Sequence, residues 1–179
     1  ADLEAGEVTR EEVMNVFPFT DKVSVLTLPG NVLRQVIEKS LSLEYGLAQF
    51  SGLRLTYDSR RPIGSRLITV NVRGEELNTD NQYRLVTGSF TANGGENYRM
   101  FEGLPLAISE VSVSDALMQR FNQLNDLTLP PLGRQTRSRS HERRRDAPTR
   151  ASLNSCELIQ RSCGAVKLLE PTCPHLPAQ

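Results

Sequence analysis

The sequence predicts an α+β fold, with a mixed, mostly antiparallel sheet packed with helices and followed by a disordered tail. Three observations lead there. Runs of period two recur at 22–28, 53–57, 67–72 and 83–87, and the last three are joined by hairpin-sized connections. A single stripe of period 3.6 stands between the first run and the second. After Pro130-Pro131 all periodicity stops. The resulting order of helix, strand, helix, three strands and helix suits one α+β domain.

Each element has its own local cause. Thr9-Arg10-Glu11-Glu12 is a capping box, with a Thr hydroxyl at the N-cap and a Glu three residues on. It opens a short helix through Val13, Met14, Val16 and Phe17, and Pro18 stops that helix. Lys22 to Leu28 alternates around Val23, Val25 and Thr27 as a strand, which Pro29-Gly30 breaks. Val32, Leu33, Val36, Ile37 and Leu41 share one face of a helix from about 31 to 42. Leu53, Leu55 and Tyr57 alternate with Arg54 and Thr56, giving a strand with one wet face. Asp58 to Gly64 is a turn, 67–72 is the next strand, closed by Gly74, and 83–87 is the last. Gly88 to Glu96 is a mostly polar, glycine-rich loop. Ser112 or Ser114 caps a final helix carrying Leu117, Met118, Phe121 and Leu124.

Charge and composition divide the chain in two. With 179 residues, 38% of them hydrophobic, it can build one core. Residues 1–129 hold 12 Lys+Arg against 17 Asp+Glu, and residues 130–179 hold 9 against 4. All three cysteines, both histidines and six of the ten prolines lie in that last stretch. The expected domain is therefore 1–133, and 134–179 is an Arg/Pro-rich tail. Residues 134–150 carry seven arginines and no aliphatic side chain but Ala147, which reads as disordered. Cys156, Cys163 and Cys173 fit no zinc spacing.

Several classes of function are thereby excluded for the folded part. The first 129 residues have no Cys and no His. A Cys- or His-ligated zinc site, a Cys nucleophile and a His general base are absent from them. A formal net charge of zero argues against nucleic acid as a partner. No apolar run approaches the roughly 20 residues that span a bilayer. The acidic start, Ala1-Asp2-Leu3-Glu4, lacks the features of a signal peptide.

The segment Phe90-Thr91-Ala92-Asn93-Gly94-Gly95-Glu96 is the most informative for chemistry. Adjacent glycines allow positive φ and close approach of a ligand to the backbone. A carboxylate at Glu96 can accept hydrogen bonds from a diol, and Phe90 can stack on a planar ring. The plainer alternative is a hairpin loop with a buried Phe. Phe19, in Pro18-Phe19-Thr20-Asp21, is open to the same two readings, binding or core packing. Arg60-Arg61 is a phosphate contact or a solvated turn. The arginine run is a ligand for RNA, an acidic protein or an anionic membrane, or else a solvated tail.

Three stretches stand in the order and spacing of one family: Val16-Phe17-Pro18-Phe19, 51–58 and 83–95. On these residues the chain resembles the C-terminal domain of the 5'-nucleotidases, a group that includes ecto-5'-nucleotidase, periplasmic UDP-sugar hydrolases and apyrase-like members. The resemblance spans about residues 3–134. It implies a domain that binds the nucleoside, with the base sandwiched between Phe19 and Phe90 and the ribose hydroxyls met by Glu96. Asn93, Gly94 and Gly95 would form the loop beside them. The family usually has Asp-Gly where this chain has Glu96-Asn97.

The resemblance places the hydrolysis elsewhere. In the family, an N-terminal metallophosphatase domain supplies Asp, His and Asn ligands for two divalent metal ions, zinc or similar. It also implies a Gly-Gly-x-Arg segment ahead of Ala1, so the chain reads as a member cut at its N-terminus. No catalytic residue and no metal ligand is expected within it. The expected partners are a nucleoside or nucleotide, the N-terminal domain and, as in vertebrate members, a second copy in a homodimer. The expected location is extracellular or at the cell surface, or periplasmic in a bacterium. The whole protein would hydrolyse nucleoside monophosphates. Apyrase or UDP-sugar hydrolysis is the alternative within the family, and a non-catalytic interaction protein is the alternative outside it.

Overall fold

The computed structural model describes residue 6, residues 8–44, 47–124 and 133–138, and the backbone of 166–169. Helix α1 (Arg10–Val16) starts where the capping box predicts. The Glu12 amide donates to Thr9 Oγ1 at 3.3 Å, and the Thr9 amide donates back to Glu12 Oε2 at 2.7 Å. The helix ends just before Phe17-Pro18. Strand β1 (Lys22–Pro29) follows. Its fully buried side chains are Ser24, Leu26 and Leu28, whereas Val23, Val25 and Thr27 are half-buried. The expected period is present, but the face sealed in the core is the neighbouring one.

Helix α2 (Gly30–Ser40) buries Leu33, Val36 and Ile37, with Leu41 at its C-cap. It leaves β1 directly, which only glycine permits. A Cβ at Gly30 would lie 2.0 Å from the Asn78 carbonyl oxygen. Strands β2 (Phe50–Ser51), β3 (Leu53–Tyr57), β4 (Leu67–Val72), β5 (Glu75–Glu76) and β6 (Gln82–Gly88) come next. Then follow the single-turn helix α3 (Ser89–Ala92), two 3₁₀ turns (Gly95–Asn97 and Arg99–Phe101), β7 (Leu106–Ser112) and helix α4 (Val113–Asn122). Ser112 is the N-cap of α4, its hydroxyl accepting from the Asp115 amide at 3.0 Å.

The strands form two sheets. One has the order β2-β9-β6-β1-β7 and the other β5-β4-β3-β8. Here β8 is Gln135–Arg137 and β9 is Val166–Leu169. The pairs β1–β6, β1–β7, β3–β4, β4–β5 and β6–β9 are antiparallel, and β2–β9 and β3–β8 are parallel. The mixed, mostly antiparallel α+β prediction therefore holds, with two sheets where one was expected. The reason is a long-range pairing: β6 returns to β1, from Val23↔Gly88 to Pro29↔Gln82, and leaves β3 and β4 to make a hairpin of their own.

Three further differences have physical causes. Strand β7 was not foreseen because it is an edge strand with both faces wetted, so Ile108 and Val111 are exposed and no clean alternation is written in it. The loop after β6 contains a helical turn. Within the segment read as a tail, 134–138 and 166–169 are described, and both include strands paired to the sheets. The Leu55 amide donates to the Arg134 carbonyl at 2.8 Å, and Gln135 Nε2 donates to the Ala48 carbonyl at 2.7 Å. Backbone pairing needs no hydrophobic pattern, so composition gave no sign of it. The remainder of the expected tail, with its cysteines and most of its arginines, lies outside the described residues.

Candidate functional site

Phe19 occupies the link between α1 and β1, and Phe90 sits in the first turn of α3. The β1–β6 pairing brings these two positions to the same end of one sheet, since Val23 faces Gly88 at that end. Phe19 is 45% exposed and Phe90 54% exposed. Those values decide against the reading of either ring as a core residue. Phe19 meets Phe17 edge to face, with ring centroids 5.4 Å apart and an interplanar angle of 78°. That contact supports one side of the ring, and Phe19 keeps nearly half of its surface open.

The Asp21 carboxylate joins the two segments. Its Oδ1 accepts from the Phe90 amide at 2.8 Å and from Ser89 Oγ at 2.9 Å. Ser89 Oγ in turn accepts from the Lys22 amide at 3.1 Å. Asp21 thus satisfies an amide at the start of α3 that the glycine at the N-cap, Gly88, cannot. Gly88 also makes room for it, because a Cβ there would stand 2.9 Å from Asp21 Oδ2.

Beyond α3 the predicted glycines each have a distinct task. Asn93 closes the turn, its Nδ2 donating to the Ser89 carbonyl at 2.7 Å and its backbone amide to the same oxygen at 3.1 Å. Gly94 takes φ +89, in the left-handed region. Gly95 lies beneath Phe90: a Cβ there would be 2.6 Å and 2.7 Å from two carbons of the ring. The absence of a side chain at 95 therefore allows the Phe90 ring to lie there. Glu96 and Asn97 both have positive φ, +51 and +68. Asn tolerates that region, whereas for Glu it is strained.

Glu96 is half-buried, and burial raises its carboxyl above the ordinary 4.5, with the Lys39 charge acting in the opposite direction. Lys39 itself pairs with Glu44 at 2.6 Å. Tyr98 is pushed up to about 12, first by burial and then by the Glu96 charge. Its ring stacks on Phe101 at 5.7 Å and 13°, and both are buried. The end of the loop is thereby anchored in the core while its start is exposed.

The sequence-derived candidates Phe19, Phe90, Asn93, Gly94, Gly95 and Glu96 thus belong to two segments at one end of one sheet. Asp21, Ser89 and Lys39 were missed. Asp before a strand is an ordinary capping residue type, but its partners lie 68 and 69 positions away. No local pattern shows them. Among the described residues no group of three or more His, Cys, Asp or Glu side chains could hold a metal ion.

Comparison with known proteins is informative at two levels. The family of 5'-nucleotidase C-terminal domains matches residues 1–103. Protein 5NUC of Lutzomyia longipalpis is 30% identical over 138 residues, covering 67% of this chain and 24% of that protein. A snake venom 5'-nucleotidase of Crotalus adamanteus is 34% identical over 111 residues, covering 55% of this chain and 19% of the venom protein. The chain therefore spans a quarter or less of either relative. In fold, it resembles the crystal structure of a 5'-nucleotidase precursor from Thermus thermophilus. The TM-score is 0.65 at 23% identity, over 75% of this chain and 28% of that one.

Proposed function

The chain belongs to the 5'-nucleotidase C-terminal domain family, and from that premise we propose that it is the nucleoside-recognition domain of a larger phosphohydrolase. Residues 1–133 form the binding domain. Phe19 and Phe90 take the two faces of the base, Glu96 accepts hydrogen bonds from the ribose hydroxyls, and Asn93, Gly94 and Gly95 shape the loop that presents them. The observation that carries this reading is the pair of exposed rings at one sheet end, with Asp21, two residues after Phe19, accepting from the Phe90 amide. Large exposed aromatics, one of them seated on a glycine, suit a planar ligand. Stacking also makes no demand on which base is bound.

The reaction of the whole protein is hydrolysis of nucleoside monophosphates to nucleoside and phosphate, with two divalent metal ions supplied from outside these 179 residues. Its nucleotide ligand is met by this domain, and its setting is extracellular or periplasmic. Calorimetric titration with adenosine tests the binding role. Phe19→Ala and Phe90→Ala should each weaken binding by about 1–3 kcal/mol, the usual value of one stacked base. Unchanged affinity in both variants would remove the proposal's basis. Incubation of this chain alone with AMP and zinc or manganese should release no phosphate. Turnover by the pure chain would show that the division of labour is wrong.

A further inference from the structure

We infer that Asp21 is the positioning residue of the base site, setting how far apart the Phe19 and Phe90 rings stand. The inference rests on the base-clamp reading above and adds the group that makes it a clamp. Phe19 and Phe90 belong to segments far apart in the chain, and a sandwich needs their separation held to the thickness of one heterocycle. Asp21 is two residues from Phe19 along the chain. Its Oδ1 accepts directly from the amide of Phe90 at 2.8 Å and from the neighbouring Ser89 hydroxyl at 2.9 Å. The same Ser89 oxygen accepts from the Lys22 amide, closing a small ring of hydrogen bonds around the junction. On its other side the Asp21 carbonyl accepts from the Val113 amide at 2.7 Å, which fixes the residue to the start of α4. Asp21 is thus held from behind and grips one ring's backbone while carrying the other ring two residues away.

Close packing makes the grip specific. Gly88 leaves the space that Oδ2 occupies, and Gly95 leaves the space beneath the Phe90 ring. The carboxylate thus holds the first turn of α3 on one side, and the Phe90 ring lies directly against Gly95 on the other. A side chain without an acceptor at 21 would free both the Phe90 amide and the Ser89 hydroxyl. The turn could then rotate, and the rings would lose their common spacing while each stayed intact.

Adenosine is the probe, and two quantities are read: affinity by calorimetry, and the upfield ring-current shift of the bound adenine H2 and H8 protons at saturation. Asp21→Ala should weaken affinity at least about fivefold, the low end of losing a stacked ring, and should reduce the shift at saturation. Asp21→Asn keeps an oxygen acceptor and should preserve both. A purely structural role would lower thermal stability and leave the saturated shift as it is. If Asp21→Ala does not fold, Ser89→Ala removes one of the two hydrogen bonds and should reduce the shift. Loss of binding in Phe19→Ala and Phe90→Ala beside an unaltered shift in Asp21→Ala, or in Ser89→Ala where that variant stands in, overturns the positioning role and leaves the clamp standing. No effect of either Phe variant overturns the clamp, and Asp21's role with it.

Discussion

Glu96 holds a half-buried carboxylate at positive φ, at a cost to the fold. Because burial raises its carboxyl above 4.5, the folded chain binds that proton more tightly than the unfolded chain does. Stability is therefore unaffected by this group in acid. It declines as pH rises from 4.5 through the raised value, and then stays at the lower level. Glu96→Gln should melt at or above the wild-type temperature at about pH 7, with the difference vanishing near pH 4. Adenosine binding should show the opposite preference. The wild type loses affinity as pH falls through the raised value, while Glu96→Gln is weaker and flat with pH. Thermal melts and titrations from about pH 4 to about pH 8 check both. A wild-type affinity that is flat over that range would deny Glu96 the ribose contact. Gly95 is the complementary case. Gly95→Ala puts a methyl 2.6 Å from the Phe90 ring and 2.7 Å from its carbonyl oxygen. The ring must swing away, so nucleoside affinity should fall about as far as in Phe90→Ala, roughly 5- to 150-fold.

At the scale of elements, the link between α2 and the β3–β4 hairpin is built from two charged side chains. Both Glu38 carboxylate oxygens accept from the Leu67 amide, at 2.9 and 3.2 Å. Arg66 Nη1 donates to the Leu41 carbonyl at 2.6 Å and the Ser42 carbonyl at 3.3 Å, at the C-terminal end of α2. Arg66→Ala leaves those carbonyls without their charged donor and should cost about 1–3 kcal/mol in a urea melt. What the sequence disclosed follows the same distinction between near and far. The α1 cap was legible because Thr9 and Glu12 are three residues apart, and β3 and β4 because their alternation faces a core. Strand β7 was hidden by exposure on both faces, and α3 because the carboxylate that supports its start belongs to Asp21, far upstream. The site was partly legible in the same sense. Phe90, Gly94 and Gly95 lie in one readable motif. That Phe19 is exposed could not be known, since a Phe after Pro more often packs inward, and here its ring rests on the neighbouring Phe17 with nearly half its surface open.

At the scale of the whole molecule, the two sheets share one core. Leu26, Leu28 and Leu85 of the first sheet lie in the same buried cluster as Leu53, Leu55, Leu67 and Val70 of the second, with Leu33, Val36 and Ile37 of α2 among them. Neither sheet can open without exposing side chains that the other needs covered. The described domain should therefore unfold in one cooperative step. Leu85→Ala and Leu55→Ala remove equivalent side chains from opposite sheets, one fully buried and the other 3% exposed. Each should lower the same transition by about 2–5 kcal/mol. Far-ultraviolet circular dichroism reports the backbone as a whole, and tyrosine fluorescence, free of any tryptophan, reports the four tyrosines together, Tyr57 on the second sheet, Tyr83 on the first and the buried Tyr98 among them. Coincident curves in the wild type and both variants would establish one folding unit. If Leu55→Ala split the transition and left a stable first sheet, the base site would sit on a part that folds without the hairpin. Adenosine would then bind at denaturant concentrations where the second sheet has already melted. With one core, binding and both sheets must disappear at the same concentration, and adding adenosine must move the whole curve together.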